Sequence, residues 1–247
     1  MNRELSLSQR VTRAADSCEL ERVLATHNYL HAASRSIEEW TTVWSKRDDT
    51  SWAHSFGRMR GFASIWMGSV VDYDQQCIDN YRTVAKNYPE VAGMDYRPLY
   101  NNAMHTLTNG IIEVADDGES ARASYLTPGL LYSFLNDDKK PWGAMLWERY
   151  GMDFVKENGE WKFLHYQVCP DFFDLFDVFN PAEMMYNNLK NDVPPPPNPT
   201  PAYLDDPGPL HVECGPLQPV QDTCPPPQPY TKLDNNNTYT QFDCYDD

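Results

Sequence analysis

The distribution of proline sets the strongest limit on what this chain can fold into. Fourteen of its 20 prolines lie between Pro194 and Pro229, and the 193 residues before them hold only six. Proline fixes φ and donates no backbone N–H, so a segment this rich in it builds neither a helix interior nor a central strand. The run Pro194-Pro195-Pro196-Pro197 and the Asn235-Asn236-Asn237 cluster read as an extended, polyproline-like arm without a core of its own. The 247 residues thus divide into a domain, 1–192, and an arm, 193–247. Such an arm is ordered only against another surface, either its own domain or, the preferred reading, a neighbouring subunit of a homo-oligomer. Tyr203, Leu210, Tyr230, Tyr239 and Phe242 are among the anchors expected.

Charge narrows the partners. Twenty basic against 36 acidic residues give −16, and the 56 residues after Asn191 carry nine acids against the single Lys232. No nucleic-acid partner and no anionic membrane surface is expected from that balance. The longest nearly apolar run, Phe62 to Val71, is about half of a membrane span, and MNRELSLSQR has no signal-peptide stretch. A soluble, cytoplasmic protein is the reading. The six cysteines form no CxxC pair and no zinc-finger spacing, which suits free thiols in a reducing compartment.

Hydrophobic periodicity orders the domain. From Ser17 to Ser34, Leu20, Val23, Leu24, His27, Leu30 and His31 share a helix face, with Asp16 or Ser17 placed to cap it. A short helix, Ile37–Ser45, aligns Trp40, Val43 and Trp44. Ser51–Phe56 alternates as a strand, with Trp52 and His54 on its buried face and Gly57 and Gly61 bracketing the following turn. A long helix over Phe62–Asn87 ends at Pro89. Four segments then read as strands, Ala103–Val114, Ser120–Leu131, Ala144–Lys156 and Glu160–Cys169, separated by turn residues such as Asp116-Asp117-Gly118 and Glu157-Asn158-Gly159. Helices followed by an antiparallel meander define an α+β fold.

Several motifs fall in this order. His105-Thr106-Leu107-Thr108-Asn109 opens a strand that continues through Ile112-Glu113-Val114-Ala115-Asp116-Asp117-Gly118. Glu148-Arg149-Tyr150-Gly151-Met152-Asp153-Phe154 is followed by Glu157-Asn158-Gly159-Glu160-Trp161-Lys162-Phe163. With the helices and glycines before them, these resemble the SnoaL-like branch of the nuclear transport factor 2-like superfamily over residues 15–172. The resemblance implies a cone-shaped α+β barrel whose bent, mostly antiparallel sheet and helices enclose an apolar pocket. It also implies a menu of activities, among them dehydratases, isomerases, polyketide cyclases and formaldehyde-releasing lyases of lignin-derived aromatics, mostly without metal or organic cofactor. Many members are non-catalytic, so the site residues must be argued singly.

His105 is the leading candidate, because the family turns this strand-start histidine into the pocket, where a near-neutral pKa suits a general acid or base. By strand alternation Asn109 shares its face and could hold a substrate oxygen. Dehydratase relatives place a Tyr and an Asp on the first helix; this sequence has His27 or Asn28 and Ala32 or Ala33 there, so His27 and His31, one turn apart, are the natural replacements. Two histidines at i and i+4 also raise a metal with His105 or His54. No carboxylate partner is evident, so no metal and no cofactor is assigned. Asp49, beside Asp48 at the entrance to the first strand, could orient a histidine. Glu148 and Tyr150 share one face, Trp147 and Arg149 the other; if the first is inward, Glu148 forms a relay with Tyr150 and His105. Trp52, Tyr125 and Trp147 favour a flat, aromatic ligand.

The sequence reading is a cofactor-independent lyase that eliminates water or formaldehyde from a small phenolic, lignin-derived diaryl substrate. Its catalytic residues are His105, His27, His31, Tyr150 and Glu148, and its substrate contacts are Trp52, His54, Asn109, Tyr125, Trp147 and Asp49. The alternatives are an isomerase or cyclase of the same fold and a non-catalytic binding or assembly module.

Overall fold

A computed structural model describes residues 5–33, 35–54, 57–72, separate positions between 75 and 93, 102–133, 142–177, 205–207, 226–234 and 238–240. Helix α1, Leu7–Ala32, begins three turns earlier than periodicity indicates. Ser6 caps it through a reciprocal pair of bonds with Gln9, a capping box. Leu7 and Val11 are exposed, so these turns carry no apolar stripe, whereas Asp16, Leu20, Leu24 and His27 repeat at three- and four-residue steps and are buried. Helix α2, Ser36–Thr42, folds back after a three-residue connection.

Two short strands follow, β1 (Ser51–His54) and β2 (Gly57–Arg60). They form an antiparallel hairpin, so the segment read as a turn after Phe56 is itself a strand. Helix α3 (Phe62–Trp66) passes into a π-helical turn at Met67–Asp72 in place of a regular α-helix. Of the rest of that expected helix, Gln75, Ile78, Asp79, Arg82, Ala85 and Lys86 are helical, whereas Tyr73, Cys77, Tyr81 and Val84 lie outside the described residues. The expected strand Ala103–Val114 is two strands, β3 (Asn102–His105) and β4 (Thr108–Val114), which pair with different halves of β5 (Ser120–Ser133). Strands β6 (Trp142–Glu157) and β7 (Glu160–Asp177) complete a long meander.

The sheet runs β3-β5-β6-β7-β1-β2 and ends on β8 (Asp206–Pro207), with β4 beside β5. It is strongly curled and unclosed, antiparallel except where β1 runs parallel to β7. The helices fill its concave side. There Leu20, Leu24, Trp44, Ile65, Met152, Phe154 and Phe163 are fully buried in one cluster, each large side chain contributing about 2 kcal/mol by transfer from water. A parallel bridge between Trp44 and Phe163 ties the chain after α2 to β7, with Phe163 N donating to Val43 O and Ser45 N to Phe163 O.

The described parts of the arm lie on their own domain. Strand β8 pairs with β2 and covers that sheet edge. Asp116 N and Asp117 N donate to the Tyr230 and Thr231 carbonyls, and Tyr239 and Thr240 reach Asp153. The anchors Tyr203, Leu210 and Phe242 lie outside the described residues. Among the described residues no helix is long and apolar enough to cross a membrane. Of the described cysteines, Cys18 is exposed and Cys169 is buried.

Candidate active site

Strand alternation on β6 resolves the direction left open by the sequence. Glu148 and Tyr150 are buried and face the concave side, in line with the core residues Met152 and Phe154. Trp147 lies on the other face with Arg149, whose guanidinium bonds Asp171, and so takes no part in the inner cluster.

His105 ends β3, where Asn28 of α1 donates to its carbonyl at 3.3 Å. Gly129 stands opposite it in register, and a Cβ there would come within 2.9 Å of His105 Nδ1. A side chain at 129 would therefore displace the imidazole. His105 Nδ1 lies 3.2 Å from Glu148 Oε2 and 3.0 Å from the Tyr150 hydroxyl, which itself donates to Glu148 Oε2 at 2.9 Å. Across the same carboxylate, His54 Nε2 is 3.8 Å from Glu148 Oε1. Burial alone would raise the Glu148 pKa, but the hydrogen bonds and charges of His105 and His54 outweigh it and hold the group at about 2. Burial and the adjacent Glu148 charge push the Tyr150 phenol well above its ordinary value, so it remains a neutral donor.

A second carboxylate repeats the arrangement. Glu39 of α2, only 2 % exposed, places Oε1 at 3.0 Å from His27 Nδ1 and Oε2 at 3.4 Å from His31 Nδ1. The two rings, one helical turn apart, stack with centroids 5.7 Å apart. Burial works to raise the Glu39 pKa, yet the His27 charge and the bonds from both histidines bring it to about 2. His31 responds in reverse: partial desolvation of its ring lowers its pKa, but the Glu39 hydrogen bond and charge, with the Glu148 charge, raise it overall. Its side chain is 48 % accessible, so this raised imidazole is also within reach of a ligand.

The two triplets, His27-Glu39-His31 and His54-Glu148-His105, meet where the His31 and His105 rings stand 5.8 Å apart. Tyr166 lies between them in the core, 5.1 Å from His27 and 5.2 Å from Tyr150 by ring centroid. Trp52 stacks on His54 at 5.9 Å. With Nδ1 of His105 and His31 turned to carboxylates, Nε2 is the ring nitrogen of each through which a proton could be exchanged. Among the described residues no group of three or more His, Cys, Asp or Glu is arranged to hold a metal ion.

Three expected contacts lie elsewhere. Asn109 is exposed with φ of 50°, because the chain bulges between Thr108 and Ile111 and the alternation from His105 is broken. The Asp49 side chain bonds Arg47, and only its backbone carbonyl meets a histidine, accepting from His165 Nε2 at 3.0 Å outside the inner cluster. Tyr125 is buried opposite Tyr150 but donates to Glu21 at 2.7 Å. Glu39 went unnoticed in the sequence. Its signal was an acid four residues before Val43, on the stripe of Trp40, Val43 and Trp44.

The SnoaL-like domain model matches residues 12–167. The chain therefore belongs to the SnoaL-like family. None of the curated proteins matches it. Among solved structures it is similar to a candidate scytalone dehydratase from Novosphingobium aromaticivorans DSM 12444, at 14 % identity over 68 % of this chain and 91 % of that one, with a TM-score of 0.46. A hexachlorocyclohexane dehydrochlorinase, LinA type 3, from Novosphingobium barchaimii LL02 gives 14 % identity, 68 % and 95 % coverage and a TM-score of 0.45.

Proposed function

We propose that this protein is a cofactor-independent lyase that eliminates water, or water with formaldehyde, from a phenolic and lignin-derived diaryl alcohol. The observation that carries the reading is the meeting of two glutamate-held imidazoles, His31 and His105, 5.8 Å apart at the mouth of an aromatic core. Glu148 holds His105 Nδ1, so Nε2 is the base. His31, raised by Glu39, is the acid.

In the elimination of water His105 takes a proton from the carbon next to the carbinol carbon. The electron pair forms the double bond, the C–O bond breaks, and His31 gives its proton to the departing oxygen. In the formaldehyde-releasing variant His105 takes the proton of a primary hydroxyl. Its C–C bond then breaks to formaldehyde, the pair forms the double bond, and the neighbouring hydroxyl leaves as water with the His31 proton. Either way base and acid exchange one proton per turnover and no redox equivalent is needed. Tyr150 steadies the Glu148 carboxylate, and Trp52 offers a flat face to an aryl ring.

Purified protein incubated with phenolic aryl alcohols and diaryl diols, in excess chelator and without cofactor, tests this by mass spectrometry. Loss of water, alone or with formaldehyde, is the expected result. An unchanged mass with altered retention would favour an isomerase instead. No conversion of any member would remove the lyase reading.

A further inference from the structure

On the outer face of the same strands lies another buried carboxylate, which the proposed chemistry does not use. Asp153 of β6 has no exposed surface. His165 Nδ1 meets Asp153 Oδ2 at 3.0 Å, and Arg122 Nε stands 3.5 Å from Oδ1. Its remaining donors come from the arm. Tyr239 N lies 3.0 Å from both oxygens, and Thr240 N and Oγ1 each lie 3.3 Å from Oδ2. Further along, the Tyr230 ring covers the Arg122 guanidinium at 3.8 Å while its hydroxyl donates to Ser120 Oγ. Leu233 N donates to the same Ser120 oxygen.

The node pins the strands that carry the candidate site. Asp153 is three residues beyond Tyr150 and five beyond Glu148 on β6. His165 precedes Tyr166 on β7, and its Nε2 bonds the Asp49 carbonyl at the approach to β1, which carries Trp52 and His54. The pin sits beside an irregularity in the β6–β7 register, between Asp153 and Phe154, where the ladder alone fixes the strands least firmly. A buried carboxylate that loses its donors must take up water or move, since desolvated charge without hydrogen bonds is unfavourable.

We infer that residues 226–234 and 238–240 are a strap whose docking on Asp153 positions the histidine–glutamate site on the opposite face of β6, β7 and β1. Asp153 and His165 are positioning residues: they act through the strands and touch no reacting atom. The inference rests on the site's geometry, not on the lyase reaction assigned to it.

The test uses the full chain with Thr240→Pro, which removes an N–H and a hydroxyl from the strap alone, and separately Tyr230→Ala, which removes the cover on Arg122. Hydrogen exchange reads the strap, and imidazole NMR resonances, assigned with single His→Gln variants, read the site. Both variants are expected to speed exchange in 226–234 about tenfold and to move the His105 and His31 resonances, with α1 exchange unchanged. Unmoved imidazoles with a freed strap would overturn the inference, as would a strap that exchanges no faster. Strap protection that grows with protein concentration would also overturn it, assigning the slot to a second copy's arm. Because these readouts need no substrate, their failure is distinct from failure of the lyase reading.

Discussion

The inner and outer faces of the sheet each bury carboxylates against histidines, and the two sets differ in what is left over. On the outer face both ring nitrogens of His165 are engaged, by Asp153 and by the Asp49 carbonyl. Asp153 itself is filled by backbone and hydroxyl donors. On the inner face Glu39 and Glu148 are each shared by two imidazoles through one nitrogen apiece, and the His31 ring is half accessible. The same residue types make a rivet in one place and present a solvent-reachable imidazole in the other. Spare valence and access, not composition, separate them.

Removing the inner base should break the contrast most severely. His105→Ala is expected to lower turnover by about 10²- to 10⁴-fold with the fold retained, the usual range for a general base, as steady-state kinetics beside circular dichroism would show. Glu148→Gln should lose nearly as much, since a neutral amide no longer fixes the His105 tautomer. A geometric version is Gly129→Ala, which leaves every polar group in place. Its methyl carbon would meet His105 Nδ1 at 2.9 Å and the Met104 carbonyl at 3.2 Å. Displacing the base by a fraction of an ångström to 1 Å costs up to about 10²-fold, and a crystal structure of the variant should show the ring turned off Glu148.

Glu39→Gln addresses the acid. Without that carboxylate the His31 pKa falls, and each unit of fall leaves about tenfold less imidazolium above it. The alkaline limb of the rate profile should therefore move to lower pH, with the acid limb little changed. Stability follows the same charges. Glu39 and Glu148, lowered from 4.5 to about 2, contribute stability that is complete above pH 4.5 and lost as pH falls toward 2. His31, raised above 6.5, contributes stability that is complete below pH 6.5 and lost as pH rises through its folded value. Thermal unfolding against pH should thus plateau between pH 4.5 and 6.5, and Glu39→Gln should flatten both edges.

Much of this was legible in the sequence because it depends on short-range pattern. The period-two face of β6 already placed Glu148 with Tyr150, and the i, i+4 spacing placed His27 with His31. What pattern could not supply was the partner of the helix pair. Glu39 reaches it only because α2 folds back after Ala33-Ser34-Arg35, a tertiary event that no local period encodes. The first turns of α1 were hidden for the opposite reason: their residues face solvent, and a capping box rather than an apolar stripe starts the helix. The arm's composition pointed to an extended segment but said nothing of the contact between Tyr239 and a carboxylate 86 residues away.

Asn109 gives the smallest expected effect and the sharpest check on where the inner face ends. Alternation from His105 assigns it to the pocket, yet β3 and β4 are separate strands and a bulge follows Thr108, so Asn109 turns outward with φ of 50°. Glycine accepts that backbone without strain, whereas alanine would add a conformational cost unrelated to the site. Asn109→Gly should therefore change kcat/KM by less than about twofold and stability by under about 0.5 kcal/mol, as for an ordinary surface position. A large loss of activity with unchanged stability would mean that the amide reaches substrate, and the boundary between the two faces would have to be redrawn to include the β3–β4 corner.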